Sequence, residues 1–336
     1  MRYPIRLAVG LFIYVALASN AWALWHSETQ GIMGTEISVT LWDENPEHAK
    51  LAITSVMTEM ERINQLLSPY LETSELARVN RDAAAAPQKI SEEFYWLIHH
   101  SLRVSALSGG AFDITFASVG WRYDYRAHQQ PQENEIKDLL PAINYRLIVL
   151  DEKTRSVFFK HKNVRIDLGG IAKGYAVDNA IKILRTMGVE HASVSAGGDS
   201  YLLGDRQGRP WVVGIKNPRA EDPAAKAAIR IPLTDTAVST SGDYERYFID
   251  EHTGERVHHI LNPKTGKSAS EVTSVTILAP RGLDSDPLST TVFVLGVEKG
   301  LELVNSLQGV DGIIIDRQGK VHYSAGLAPP EAAAAD

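Results

Sequence analysis

The chain has 336 residues, a formal charge of −7 and no cysteine. Disulfides, thiolate chemistry and lipid attachment through cysteine are therefore excluded, and packing alone must stabilise the fold. An acidic chain without a Lys/Arg-rich block also argues against nucleic acid as a partner.

The chain opens in the manner of a signal peptide. Arg2 and Arg6 precede an apolar run from Leu7 to Ala18, and Ala21 and Ala23 put small residues where a signal peptidase cuts. The run falls short of the ~20 residues a membrane-spanning helix needs. Residues 1–23 are expected to be removed, leaving an exported, periplasmic protein; uncleaved, they would tether it to the inner membrane. Residues 24–327 would form one large domain or two intimately packed lobes, and the Ala/Pro-rich residues 328–336 a flexible tail.

Asn45 and Pro46 read as a helix cap and first helical position, and Ile53, Val56, Met57, Met60, Ile63 and Leu67 follow at helical spacing. A second helix starts at Ser91 and stops at Gly109–Gly110, and a third runs from Tyr175 to Met187 before Gly188. Strands are expected at 35–42, 147–150, 157–159, 193–196, 211–215, 237–240, 273–278, 312–315 and 321–324. They come mostly in pairs joined by short turns, not alternating with helices. That pattern predicts an α+β fold of mixed, largely antiparallel sheets with packed helices.

No zinc signature, dinucleotide-binding glycine motif or complete P-loop occurs; Gly266–Ser268 resembles the end of a P-loop, but Leu261 stands where its first glycine belongs. Four segments carry chemistry instead. Asp286 and Thr290 are four apart, before and after Pro287 and Leu288. Alone they read as a helix N-cap, with Pro287 at the first helical position and Gly296 at the end. The same two oxygens form a hard pair suited to Mg²⁺. Asp167, Gly169, Gly170 and Lys173 make a glycine-rich bend running into a helix start, where N–H groups favour anions. Ser108 to Thr115 reads as a glycine-hinged strand start with Phe112 and Asp113 side by side. His258 and His259 precede a turn at Asn262–Gly266, and on an extended strand only one of them can face a site.

These four segments, in this order, resemble the ApbE family of FAD:protein FMN transferases over about residues 30 to 307. Met33-Gly34-Thr35, Leu67–Tyr70, Ser74-Glu75, Asn80, Ser195–Asp199 and Ser239–Tyr244 belong to the same match. The resemblance implies an enzyme that binds FAD with Mg²⁺ on its pyrophosphate. A threonine or serine hydroxyl of an acceptor protein takes the FMN, and AMP leaves. Acceptors would carry an Asp-x-(Ser/Thr)-Gly-Ala-(Ser/Thr)-like motif, as in subunits of membrane redox complexes. Carried over by position, Asp286, Thr290 and the Gly170 carbonyl would ligate the metal, with Ser289 where some relatives have an acid. Met33, Tyr70, Ala111, Phe112, Asp113, Asp167, Lys173 and Leu261 would contact FAD, and His259 would serve the attacking hydroxyl as general base or hydrogen-bond partner. Two alternatives stay open: an FAD pyrophosphatase, with water replacing the hydroxyl, and a non-catalytic flavin-binding protein.

Overall fold

The computed structural model describes residues 24–216, 219 and 229–327. The expected signal peptide and tail lie outside them. The centre is an eight-stranded sheet whose strands follow one another in chain order: β1 (Leu24–Ile32), β2 (Thr35–Asp43), β3 (Ala192–Ala196), β4 (Asp199–Leu203), β5 (Thr236–Gly242), β6 (Val272–Ala279), β7 (Asp311–Asp316) and β8 (Val321–Tyr323). Every neighbouring pair is antiparallel, so the α+β expectation holds.

Long insertions carry five main helices: α1 (Pro46–Leu67), α2 (Glu75–Asp82), α3 (Glu92–Leu107) and α4 (Ala172–Thr186) between β2 and β3, and α5 (Gly282–Asn305) between β6 and β7. Helix α1 starts where the sequence says, with the Asn45 side chain accepting from the N–H groups of Glu47 and His48. Its apolar stripe is buried against α4, β1 and β2, and joins Phe94, Leu97 and Ile98 of α3 and Val177, Ile181 and Leu184 of α4 in the larger core. A second core lies around β6, whose eight residues are all buried, with Val292 and Phe293 of α5 and Ile314 of β7.

Three expectations change. Helix α4 begins at Ala172, three residues before Tyr175, which puts Lys173 and Gly174 in its first turn. The Ala111–Thr115 segment is a bend leading to a 3₁₀ turn at Ile114–Phe116, not a strand: the Asp113 carboxylate takes the N–H and hydroxyl of Thr115 and closes the chain on itself. Asp286 is not an N-cap. Helix α5 starts at Gly282, five residues before the expected Pro287, which lies inside it; Gly296 (φ 79°, ψ −172°) ends its first segment where the sequence put the end, and a second segment runs on to Asn305. The cap comes from another helix: the Asp178 carboxylate on α4 accepts from the N–H groups of Gly282 (2.7 Å) and Leu283 (2.9 Å).

That cap depends on a close crossing of α4 and α5. A Cβ on Gly174 would stand 2.0 Å from the Gly282 carbonyl oxygen, and one on Gly282 would stand 2.4 Å from the Gly174 carbonyl oxygen. Only glycine at both positions lets the two backbones touch. The contact joins two segments that are more than a hundred residues apart in the chain.

Candidate active site

The crossing builds the centre of the site. Oδ2 of Asp286 accepts from the Gly174 N–H at 2.9 Å, so the first turn of α4 and the second turn of α5 share one carboxylate. Oδ1 makes no hydrogen bond and lies 3.7 Å from the Lys173 ammonium. Lys173 itself is hydrogen-bonded to the Asp199 carboxylate at the start of β4. Asp286 and Asp199 are each only 2 % exposed. Burial, then the charge of Asp199, raises the Asp286 pKa, while Lys173 and the Gly174 N–H pull it back. Burial works against the Lys173 charge, but Asp199 and then Asp286 more than offset it and its pKa is raised. Two carboxylates and one ammonium leave this buried cluster short of positive charge.

Helix α5 is held to β5 by hydroxyls. Ser285 meets Ser239 at 2.7 Å and Ser289 meets Ser241 at 2.8 Å, while Thr290 lies 3.4 Å from Ser241. Ser289 also donates to the Asp286 carbonyl at 2.8 Å. The predicted ligands therefore separate. Asp286 offers a carboxylate oxygen with no hydrogen-bond partner, and Thr290 is half-buried with a single long contact. Ser289 is spent on holding the helix. Gly170 belongs with the first two, since a Cβ built on it would lie 3.7 Å from the Thr290 hydroxyl and 3.2 Å from the Phe112 ring.

Among the described residues no three His, Cys, Asp or Glu side chains gather around one cation position. One carboxylate, one hydroxyl and a backbone carbonyl nonetheless suit Mg²⁺, which is held by one or two carboxylates and completed by water and substrate phosphate. Oδ1 of Asp286, ion-paired at 3.7 Å to Lys173 and not taken by a backbone N–H, fits that role.

The predicted FAD contacts fall into two groups. Asp167 lies at the bend before α4: its Oδ1 takes the Gly169 N–H, its own N–H goes to the Ile114 carbonyl, and burial raises its pKa against the pull of Gly169 and Arg246. Asn80 clamps the irregular segment before the bend, pairing with both the N–H and the carbonyl of Ile166 at 2.8 Å. Phe112 and Ala111 are buried beside Gly170 and in the second core. Asp113 shapes the bend, its second oxygen accepting from the Tyr145 N–H at 2.8 Å.

At the other end, Tyr70 is 78 % exposed and stacks on Trp121 (centroids 5.9 Å apart, planes at 29°), with the Arg165 guanidinium 4.8 Å from the Trp121 ring centre. Leu261 is buried next to this rim, one methyl 3.4 Å from where a Gly120 Cβ would be. Met33 has φ 56° and Gly34 φ 69°, the two positive angles of a tight β1–β2 hairpin turn.

Arg246 connects these parts. It donates to the Gly34 carbonyl at 3.0 Å, its own carbonyl accepts the His259 N–H at 3.2 Å, and its charge acts on Asp167, Lys173 and His259. Of the histidine pair, His258 is structural, with Nε2 on the Ala269 carbonyl and its ring edge-on to Phe293. His259 has a buried Nδ1 without a hydrogen-bond partner. Burial, then the charges of Arg246, His258 and Lys173, lower its pKa to about 3, so the ring is neutral. Arg246, Asp199, Asp178, Ser241 and Trp121 escaped the residue-level reading because each acts through a partner distant in the chain. Only the glycine spacing around Asp199 and the run of hydroxyls at 239–241 gave a sign.

A buried carboxylate at a helix crossing, a lysine at a helix start and an exposed aromatic rim define a site for a phosphate-bearing ligand with a planar ring. Comparison with known proteins agrees. The ApbE family profile matches residues 33–314, and the chain belongs to the ApbE family. It is 31 % identical over 320 residues to a Treponema pallidum protein named FAD:protein FMN transferase, covering 90 % of this chain and 87 % of that one. A Klebsiella pneumoniae protein of the same name is 31 % identical over 303 residues, covering 89 % and 92 %. Among solved structures, the Thermotoga maritima ApbE protein superposes with a TM-score of 0.81 at 33 % identity, covering 90 % of this chain and 98 % of that one. The Vibrio cholerae flavin transferase ApbE gives 0.78 at 26 % identity, with the same coverage.

Proposed function

We propose that this chain transfers FMN from FAD to a threonine or serine hydroxyl of an acceptor protein and releases AMP, with Mg²⁺ at the pyrophosphate. The observation that carries the reading is the Asp286 carboxylate, anchored by the Gly174 N–H on one oxygen and without a hydrogen bond on the other. It belongs to a chain whose relatives bear that enzyme's name.

Oδ1 of Asp286, the Thr290 hydroxyl and the Gly170 carbonyl would hold Mg²⁺. When bound, it would neutralise charge on the bridging and leaving oxygens of the pyrophosphate. Lys173 adds a second positive charge at the start of α4, where the backbone already favours anions. Tyr70, Trp121 and Met33 provide surface for the rings of FAD. The acceptor oxygen bonds to the flavin-side phosphorus, the phosphoanhydride bond breaks with its electron pair staying on AMP, and the hydroxyl proton passes to solvent or to the departing AMP phosphate. A loose transition state asks little of a base, so a neutral His259 serves best as the hydrogen-bond partner that aims the hydroxyl. Acceptors with an Asp-x-(Ser/Thr)-Gly-Ala-(Ser/Thr)-like motif, such as subunits of membrane redox complexes, suit this chemistry. Export through cleavage after residue 23 would put the enzyme in the periplasm with them.

The test is to mix the protein with FAD, Mg²⁺ and an acceptor domain and look for flavin fluorescence that survives denaturing electrophoresis. A labelled acceptor, lost on chelation, is expected. Free FMN with no label would indicate the hydrolase, and unchanged bound FAD the carrier. For export, a native N-terminus at Met1 would contradict the cleavage.

A further inference from the structure

Lys173 stands between two buried carboxylates, yet it is not shared equally. Its ammonium is hydrogen-bonded to Asp199 and remains 3.7 Å from Oδ1 of Asp286, beyond hydrogen-bond reach. The asymmetry has consequences for Asp286. Oδ2 already accepts the Gly174 N–H, so Oδ1 is the oxygen on which a cation and the Lys173 ammonium would compete. A lysine stem is long and flexible, and nothing but its partner decides which carboxylate it reaches.

Asp199 is well placed to be that partner. It opens β4 directly after the Gly197–Gly198 turn, where Gly197 has φ 61°. A Cβ on Gly198 would come 2.7 Å from the Thr240 carbonyl oxygen, so β5 packs against the turn and fixes its position. At 2 % exposure the carboxylate cannot turn to solvent, and its charge is answered by Lys173.

We propose that Asp199 is a positioning residue for metal binding: it holds the Lys173 ammonium back from Asp286 and so keeps Oδ1 of Asp286 available to a divalent cation. The inference rests on the magnesium reading above. Without Asp199 the ammonium would swing onto Asp286, its remaining anionic neighbour, and compete with the cation for the same oxygen. An ammonium and a carboxylate brought together out of water attract strongly, so the swing would occupy the oxygen the cation needs.

The test uses Mn²⁺ alone as the probe, titrated into the full-length protein and followed by electron paramagnetic resonance of the free ion. Asp199→Asn should weaken Mn²⁺ binding by about 10-fold or more. Lys173→Gln, which removes the competitor, should tighten it. In the double variant the Asp199→Asn loss should disappear, leaving affinity within about threefold of Lys173→Gln. Thermal unfolding of each variant checks the fold, and the Lys173→Gln arm stands if Asp199→Asn is unstable. Unchanged Mn²⁺ affinity in folded Asp199→Asn, or in Lys173→Gln, would overturn the proposal alone. So would an Asp199→Asn loss that persists in the double variant, since Asp199 would then act on the cation directly. Wild-type protein that binds no Mn²⁺ would overturn the magnesium reading and this proposal with it.

Discussion

At the α4–α5 crossing, Asp286 is 2 % exposed and pinned by a backbone N–H, between two helices whose glycines touch. At the aromatic rim, Tyr70 is 78 % exposed and held by one stacking contact with Trp121. On the proposed reading the first region meets the phosphates and needs charges fixed to within a fraction of an ångström, because electrostatic work depends on preorganisation. The ring end needs only a flat apolar surface, and a mobile one suffices. Damage at the first end should therefore appear in chemistry and stability, and damage at the second in ligand affinity alone.

The largest effect is expected from Asp286→Ala. Removing the central carboxylate should lower the transfer rate by about 10³-fold or more, with a smaller loss of FAD affinity. Rates at saturating FAD under limiting Mg²⁺, set beside an FAD binding titration, separate the two. Gly174→Ala comes next. Its methyl would collide with the Gly282 carbonyl, so urea denaturation should show a loss of about 3 kcal/mol and activity should fall as the crossing opens. Tyr70→Ala should leave unfolding unchanged and weaken FAD binding about 10-fold, read by flavin fluorescence, at nearly unaltered maximal rate. If Tyr70→Ala instead lost its maximal rate with affinity intact, the division between the two ends would be wrong.

The smallest effect concerns His259 and its sign can be stated. Its pKa falls from 6.5 to about 3 in the folded chain, so the unfolded chain binds the proton first. The contribution of this group to stability is present above pH 6.5 and is lost as pH falls toward 3. Nuclear magnetic resonance of the imidazole should accordingly show a neutral ring from neutrality down to about pH 5. A midpoint near the free-histidine value would contradict the burial of Nδ1.

Much of the scaffold could be read from local pattern. The stripe from Ile53 to Leu67 and its Asn45 cap marked α1, and strand-like runs bounded by turns marked β2, β3, β5, β6 and β7 within a residue or two at most ends. The failures share a physical cause. Asp286 before Pro287 is the local signature of a helix start, but the start is moved five residues earlier because Asp178, on a different helix, supplies the cap. Asp113 carries the composition of a ligand contact and proves to be a turn former, which its neighbour Thr115 decides. Lys173 was legible as a charge at a helix start, whereas its partner Asp199 lies on a strand 26 residues later and only folding brings them together. Local order is written in spacing; the site is written in contacts between segments.

The most direct measurement of the whole account is the stoichiometry of the reaction. With FAD, Mg²⁺ and an acceptor domain in one vessel, AMP can be counted by chromatography and protein-bound flavin by the mass of the intact acceptor. The account predicts one AMP released for each FMN attached, with no free FMN above background. AMP appearing together with an equal amount of free FMN, and an acceptor of unchanged mass, would contradict it.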